Sequence, residues 1–157
     1  MSRRDQITMS AQEVEAFLAE QRTVVCATNG VRGWPHLMPL WYVVRGGELW
    51  AWTYAKSQKV RNLERDRRAT LEVEAGEEYH ELRAVMLECD AVLHPEREVV
   101  EPFGRELLAR YTGATSAAEL HPGVREMIAA QAPKRVALQF VERRRATWDH
   151  RKLDGVY

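Results

Sequence analysis

No run in this sequence approaches the roughly 18 apolar residues that a membrane-spanning helix needs. The opening segment MSRRDQITMSAQEVEAF also lacks the apolar stretch of a signal peptide. The expectation is a soluble, cytoplasmic chain with no membrane partner. Net charge is absent too: 23 Lys and Arg face 23 Asp and Glu. No global field draws the protein to nucleic acid, and any anion site must be local. Cysteine is scarce. Cys26 and Cys89 both sit in apolar strand-like runs and are read as buried free thiols rather than as a disulfide or as nucleophiles. The five histidines (His36, His80, His94, His121, His150) include no pair at metal-ligand spacing and neither cysteine has a second thiol nearby, so no zinc site is expected. Neither a G-x-S-x-G elbow, a G-x-x-x-x-G-K loop nor a G-x-G-x-x-G fingerprint occurs, and no catalytic side chain is nominated.

At 157 residues the chain is long enough to bury a core unaided and is read as one domain over 1–157, with 1–9 a loose lead-in. SAQEVEAFLAEQ opens with a capping box, Ser10 and Glu13, and carries an apolar stripe of Val14, Phe17 and Leu18, which predicts a short helix. RTVVCAT, HLMPLWYVV and ELWAWTY read as strands, the last two joined by a Gly46-Gly47 hairpin. Pro39 marks its strand as an edge, a bulge or a cofactor-facing stretch. SQKVRNLERD reads as a helix with Ser57 as N-cap, and RATLEVEAG as a strand. LRAVMLECDAVLH is a long strand placing Val85, Leu87, Cys89, Ala91 and Leu93 on one face. Two helical segments follow, then RVALQFVE and RATWDH as closing strands. The pattern predicts a mainly β fold with flanking helices, built on an antiparallel sheet curled into a small closed barrel.

Lysine is also rare. Of only four (Lys56, Lys59, Lys134, Lys152), two fall in TYAKSQKVRNLERD, between two strands. A helix N-terminus with a Ser57 hydroxyl and Lys56, Lys59 and Arg61 beside it suits a phosphate. A solvated basic helix balanced by Glu64 and Asp66 is the alternative. Trp34, Trp41, Tyr42, Trp50, Trp52 and Tyr54 crowd into the stretch just before this turn. Barrel packing accounts for Trp41 or Trp50, and the set as a whole suits a flat heteroaromatic cofactor with a phosphorylated tail.

The segment from Arg22 to Gly76 resembles the pyridoxamine 5'-phosphate oxidase-like split β-barrel flavoproteins. The resemblance is carried by Ala27-Thr28, Pro35, Pro39 to Trp41, Gly46-Gly47 and then Lys56, Ser57, Lys59, Asn62, Leu63, Asp66 and Arg68. It covers about residues 12 to 95, with EEYHELRAVMLECDAVL similar to the next family block although Ala84 and Glu88 replace the commoner glycines, and extends to TWDHRKL near the end. It implies an FMN-binding split barrel and a homodimer with cofactor sites at the subunit interface. It also implies cofactor contacts from Pro39, Leu40, Trp41, Thr53, Lys56, Ser57, Lys59, Arg61 and Asn62.

The R-x-V-L-L-K-type strand and the C-terminal Arg–His segment of the vitamin B6 oxidases are not evident, and the chain looks more like the branch that uses the deazaflavin coenzyme F420. The expected function is an oxidoreductase moving a hydride between F420, or alternatively FMN, and a small organic substrate. A wide basic surface (Lys56, Lys59, Arg61, Arg65, Arg67, Arg68, 143–145 and 150–152) favours the polyanionic deazaflavin tail over the single phosphate of FMN. Two other readings stay open. One is a cofactor, haem or tetrapyrrole binder using His36, His80 or His150. The other is a barrel that only dimerises. For the dimer, an interface on the strand 82–93 or on the aromatic strands is expected.

Overall fold

The computed structural model describes residues 2–153. Ahead of the sheet stand α1 (Arg3–Ile7) and α2 (Ala11–Glu20). Within the stretch 1–9, expected as a loose lead-in, Arg3–Ile7 forms a short helix with its own capping box, in which Ser2 and Asp5 satisfy one another's backbone. Met9 is buried, and its amide donates to Thr147 Oγ1 at 2.9 Å, which ties this segment to the far end of the chain. The second capping box forms as read from the sequence: Ser10 N donates to Glu13 Oε2 at 2.6 Å and Glu13 N to Ser10 Oγ at 3.2 Å.

Seven antiparallel strands follow in the spatial order β2-β1-β5-β6-β7-β4-β3. They are β1 (Val24–Asn29), β2 (Pro35–Leu40), β3 (Val43–Arg45), β4 (Glu48–Tyr54), β5 (Arg68–Ala75), β6 (Arg83–His94) and β7 (Arg135–Asp149). The helix α3 (Gln58–Arg65) links β4 to β5, while α4 (Arg97–Thr112) and α5 (Pro122–Gln131) lie between β6 and β7. The closed barrel expected from pattern is corrected here. Among the described residues no ladder joins β2 to β3, so the sheet keeps two edges and the barrel is split. HLMPLWYVV is two strands, interrupted at Trp41-Tyr42. Pro39 does lie on an edge strand, where its missing N–H costs no ladder bond. Gly46 and Gly47 take φ 57° and 82° in a two-residue loop between Arg45 and Glu48, as the hairpin geometry requires.

The inward face of β6 is the one the alternation predicted: Val85, Leu87, Cys89 and Ala91 are buried. RVALQFVE and RATWDH form one continuous strand. A register shift against Glu88/Cys89 inserts an extra residue at Arg143, so the inward set changes from Val136, Leu138 and Phe140 to Thr147 and Asp149. The barrel interior is filled by one apolar cluster from α2, α3 and six strands. A second cluster lies outside β3, β4 and β7, where Val100, Phe103 and Leu107 of α4 cover Trp50 and Trp52.

Gly104 is where that helix comes closest. A Cβ there would stand 2.5 Å from Trp52 Cζ3 and 3.0 Å from Ile128 Cγ2. Gly104→Val should therefore cost about 3 kcal/mol through overpacking, read as a lower urea midpoint with an unchanged slope. An unaltered midpoint would mean that α4 slides freely on the sheet.

Candidate functional site

β4 runs into the basic turn through two backbone bonds, Ser57 N to Tyr54 O at 3.0 Å and Ala55 N to Lys134 O at 2.9 Å. Ser57 occupies the N-cap position of α3 with extended backbone (φ −70°, ψ 156°), yet its side chain caps nothing. Its Oγ is sealed from solvent without a hydrogen-bond partner among the described residues. The first amides of α3 thus lack a side-chain cap.

The inner face of α3 carries Lys59, Val60, Asn62 and Leu63. Leu63 and Val60 join the core. The two polar residues anchor the helix to the barrel wall: Lys59 Nζ donates to Thr53 Oγ1 at 2.9 Å, and Asn62 Nδ2 donates to Thr28 Oγ1 at 3.0 Å. Thr28, carried only as part of the A-T motif, is thus a buried member of the same cluster.

Lys59 is 5% exposed and belongs to no ion pair among the described residues. The other buried charge, Asp149, is answered by Arg151 at 2.6 Å. Burial, and secondarily the charge of Arg135, lowers the Lys59 pKa, while Cys26 nearby opposes that shift. Cys26 is no counter-ion, because burial pushes its thiol up to about 12; Cys89 is raised likewise to about 12, mainly by burial. Both remain neutral free thiols at neutral pH. The cluster therefore holds an ammonium group with one neutral acceptor, and an unused hydroxyl lies two residues away.

Lys56 and Arg61 lie exposed on the same turn and helix, without ion-pair partners among the described residues. Much of the wide basic surface expected from sequence is neutralised within the chain. Arg68 pairs with Asp66, Arg143 with Asp90, Arg144 with Glu88, Arg145 with Glu142, and Lys152 with Glu13. Arg65 donates to the Asn29 carbonyl. The Arg68 guanidinium, with Asn29 beside it, holds the Asp66 carboxyl far below its usual range.

Pro39, Leu40 and Trp41 form a separate group at the end of β2. Pro39 is exposed and Leu40 packs on the core, as strand alternation dictates. Trp41 is 48% exposed and stacks on Tyr111 of α4, with ring centroids 4.3 Å apart and planes at 9°. Among the described residues no hydrogen bond or ring contact joins this group to the Lys59 cluster. Sequence reasoning passed over Arg135, whose guanidinium lies 3.8 Å from the Tyr54 ring centroid, and Arg110 and Tyr111, which hold the Trp41-Tyr42 break. Nothing local signals them, since each acts across long sequence separation.

A cleft of about 600 Å³ lies between α2 and β3, lined by Val14, Leu18, Val43, Val44, Arg110 and Arg145 among others; of the residues expected to face the cofactor, only Arg145 of the wide basic surface lines it. Trp34 (77% exposed), Leu37 (57%) and Met38 leave the β2 edge and the turn before it strongly apolar. No helix among the described residues is long and apolar enough to cross a membrane. No cluster of three or more His, Cys, Asp or Glu among them could hold a metal.

The architecture is a split antiparallel barrel with helices on its outer face and a cation-rich helix start beside β4. The profile of the pyridoxamine 5'-phosphate oxidase family matches residues 10–149, and the chain belongs to that family. It is similar along its whole length to the conserved hypothetical protein Rv2991 from Mycobacterium tuberculosis, with 38% identity, 95% of that chain covered and a TM-score of 0.87. An F420 reductase shares the fold at 18% identity and a TM-score of 0.63, over 84% of this chain and 94% of that one. The haem storage protein HutZ of Vibrio cholerae shares it at 14% identity and a TM-score of 0.63, over 88% and 93%. Comparison with curated proteins gives no match.

Proposed function

We propose that this chain is an oxidoreductase that holds a flavin-type cofactor by its phosphate at the start of α3, with the deazaflavin F420 favoured over FMN. The observation that carries the reading is Lys59, a buried ammonium with no anionic partner among the described residues. Burying a cation without an anion is costly, and a ligand phosphate would supply the missing charge. The Ser57 hydroxyl and the uncapped amides of α3 would donate hydrogen bonds to the same group and orient it. Thr53 and Asn62 position Lys59 and α3, and Lys56 and Arg61 add charge at the rim. When bound, the cofactor carries the hydride to or from a small organic substrate, and the chain's residues bind and orient it. Membership of the family and the F420 reductase among the structural neighbours support this reading.

The apolar β2 edge is the surface for a second copy, which would place Pro39, Leu40 and Trp41 at the interface where a homodimer completes the cofactor site. Cofactor-free protein should sediment as a dimer at micromolar concentration, and a lone species at 18.1 kDa would remove this assembly. Fluorescence titration with F420 and with FMN tests the cofactor. Tighter binding of F420 is expected. FMN binding tighter by about ten-fold or more, roughly 1.4 kcal/mol, would overturn the choice, and binding of neither would overturn the function.

A further inference from the structure

We propose that Lys134 and Arg135, at the head of β7, form a second anion subsite beside the phosphate turn and take a further negative group on the cofactor's extended tail. The inference rests on the phosphate reading above and adds the class of ligand: a flavin-type molecule whose tail continues past its first phosphate into a second phosphodiester or carboxylate charge.

Register brings the two segments together. Arg135 lies opposite Tyr54, the last residue of β4, and the Lys134 carbonyl accepts the Ala55 amide at 2.9 Å. Lys56 and Ser57 are the next two residues along. The Arg135 guanidinium stands 3.8 Å from the Tyr54 ring centroid and 4.8 Å from that of Trp52, so two aromatic faces hold it in place before any ligand arrives. A guanidinium fixed in this way gives up less conformational freedom when it binds an oxyanion. Its Nε is sealed from solvent and has no acceptor, and Arg135 enters no ion pair among the described residues.

Other arginines, Arg22 and Arg67 included, also lack a carboxylate among the described residues, but at this corner the uncompensated cations lie on two segments joined by backbone pairing, the turn into α3 and the head of β7. Arg68, Arg143, Arg144, Arg145 and Arg151 each face a carboxylate. Lys56, Lys59, Arg61, Lys134 and Arg135 face none among the described residues. One terminal phosphate carries at most two charges, fewer than this group of cations supplies. The lowering of the Lys59 pKa by Arg135 agrees with the two cations sharing one field. Together they favour a ligand that spreads several negative charges along the head of β7.

The test compares F420, whose tail carries a phosphodiester and glutamyl carboxylates, with FMN, which ends in one phosphate. Cofactor-free Arg135→Gln is titrated with each by fluorescence, alongside Lys59→Ala and the parent protein. Arg135→Gln should weaken F420 about ten-fold and FMN less than about two-fold, whereas Lys59→Ala should weaken both. Arg135→Lys keeps the charge and should recover most of the F420 affinity. Lys134→Ala leaves the backbone bond intact, serves if Arg135→Gln fails to fold, and should weaken F420 by about three-fold. Equal weakening of both ligands by Arg135→Gln would place Arg135 on the first phosphate and overturn the second subsite. An unchanged F420 affinity would also overturn it, and the phosphate site would stand if Lys59→Ala still loses both ligands. If the parent protein binds neither ligand, the phosphate reading falls and this inference falls with it.

Discussion

Replacing Lys59 with methionine should make the cofactor-free protein more stable and its cofactor binding at least about ten-fold weaker. The two effects have one cause. Lys59 is 5% exposed, and a single neutral hydroxyl, Thr53 Oγ1 at 2.9 Å, answers its ammonium. A buried charge without a counter-ion opposes folding, and an apolar side chain of similar length removes that penalty, a gain of about 1–2 kcal/mol. The loss of the Thr53 bond offsets part of it. The pH dependence supplies a second readout. Desolvation, the largest cause, puts the folded-state pKa of Lys59 below its ordinary 10.5. Below the lowered value the lysine is protonated in both states and the penalty is fully present. As pH rises from there toward 10.5 the folded state gives up its proton first, and stability rises. The parent protein should show that alkaline rise in urea melts, and Lys59→Met should lack it. A methionine variant less stable than the parent would mean that the ammonium is satisfied within the chain. Unchanged cofactor affinity would take Lys59 out of the site altogether.

What was legible in the sequence was local. Ser10 and Glu13 declare a helix start because a capping box closes within four residues. Gly46-Gly47 declares a hairpin because both positions need positive φ, and the alternation Val85, Leu87, Cys89, Ala91 declares which face of β6 turns inward. The turn that brings Lys56, Ser57 and Lys59 together was visible for the same reason. Whether those cations are free was not, because neutralisation is decided by register. Arg143 meets Asp90 and Arg144 meets Glu88 only because β6 lies against β7 with a bulge between them. The run Arg143–Arg145 reads as a basic patch and turns out to be the cross-strand complement of an acidic neighbour. Conversely, Arg135 reads as an ordinary first residue of a strand. It becomes a stacked, unpaired cation once β7 is set against Tyr54. The α1 segment was missed because five residues are too short to show a hydrophobic period.

Arg110→Met should be the most destabilising single substitution considered, at about 3–5 kcal/mol. α2 ends without a basic residue in its last turn, so its terminal carbonyls need hydrogen-bond donors from outside the helix. Arg110, reaching from α4, supplies it: Nη2 donates to the carbonyls of Leu18 and Ala19 at 3.1 Å and of Gln21 at 2.7 Å. Its Nη1 donates to the Tyr42 carbonyl, and the guanidinium lies 4.5 Å from the Tyr42 ring centroid. One side chain therefore fastens the C-terminus of α2, the break between β2 and β3, and the outer helix. Methionine keeps much of the stem's packing but leaves those carbonyls, in a half-buried setting, without their charged donor.

For a chain of this size the loss should appear as a fall in Tm of about 10 °C. Arg110→Lys should recover little, because an ammonium cannot span acceptors spread over two elements. The consequence extends to the candidate site. Trp41 is held by stacking on Tyr111, whose hydroxyl accepts the Tyr42 amide at 3.0 Å and donates to the Arg22 carbonyl at 2.6 Å. A loosened α4 should free Trp41, raising its fluorescence sensitivity to quenchers before the global transition. A stability loss under about 1 kcal/mol, or Trp41 quenching unchanged up to the main transition, would show that the Arg110 junction does not hold this corner of the barrel.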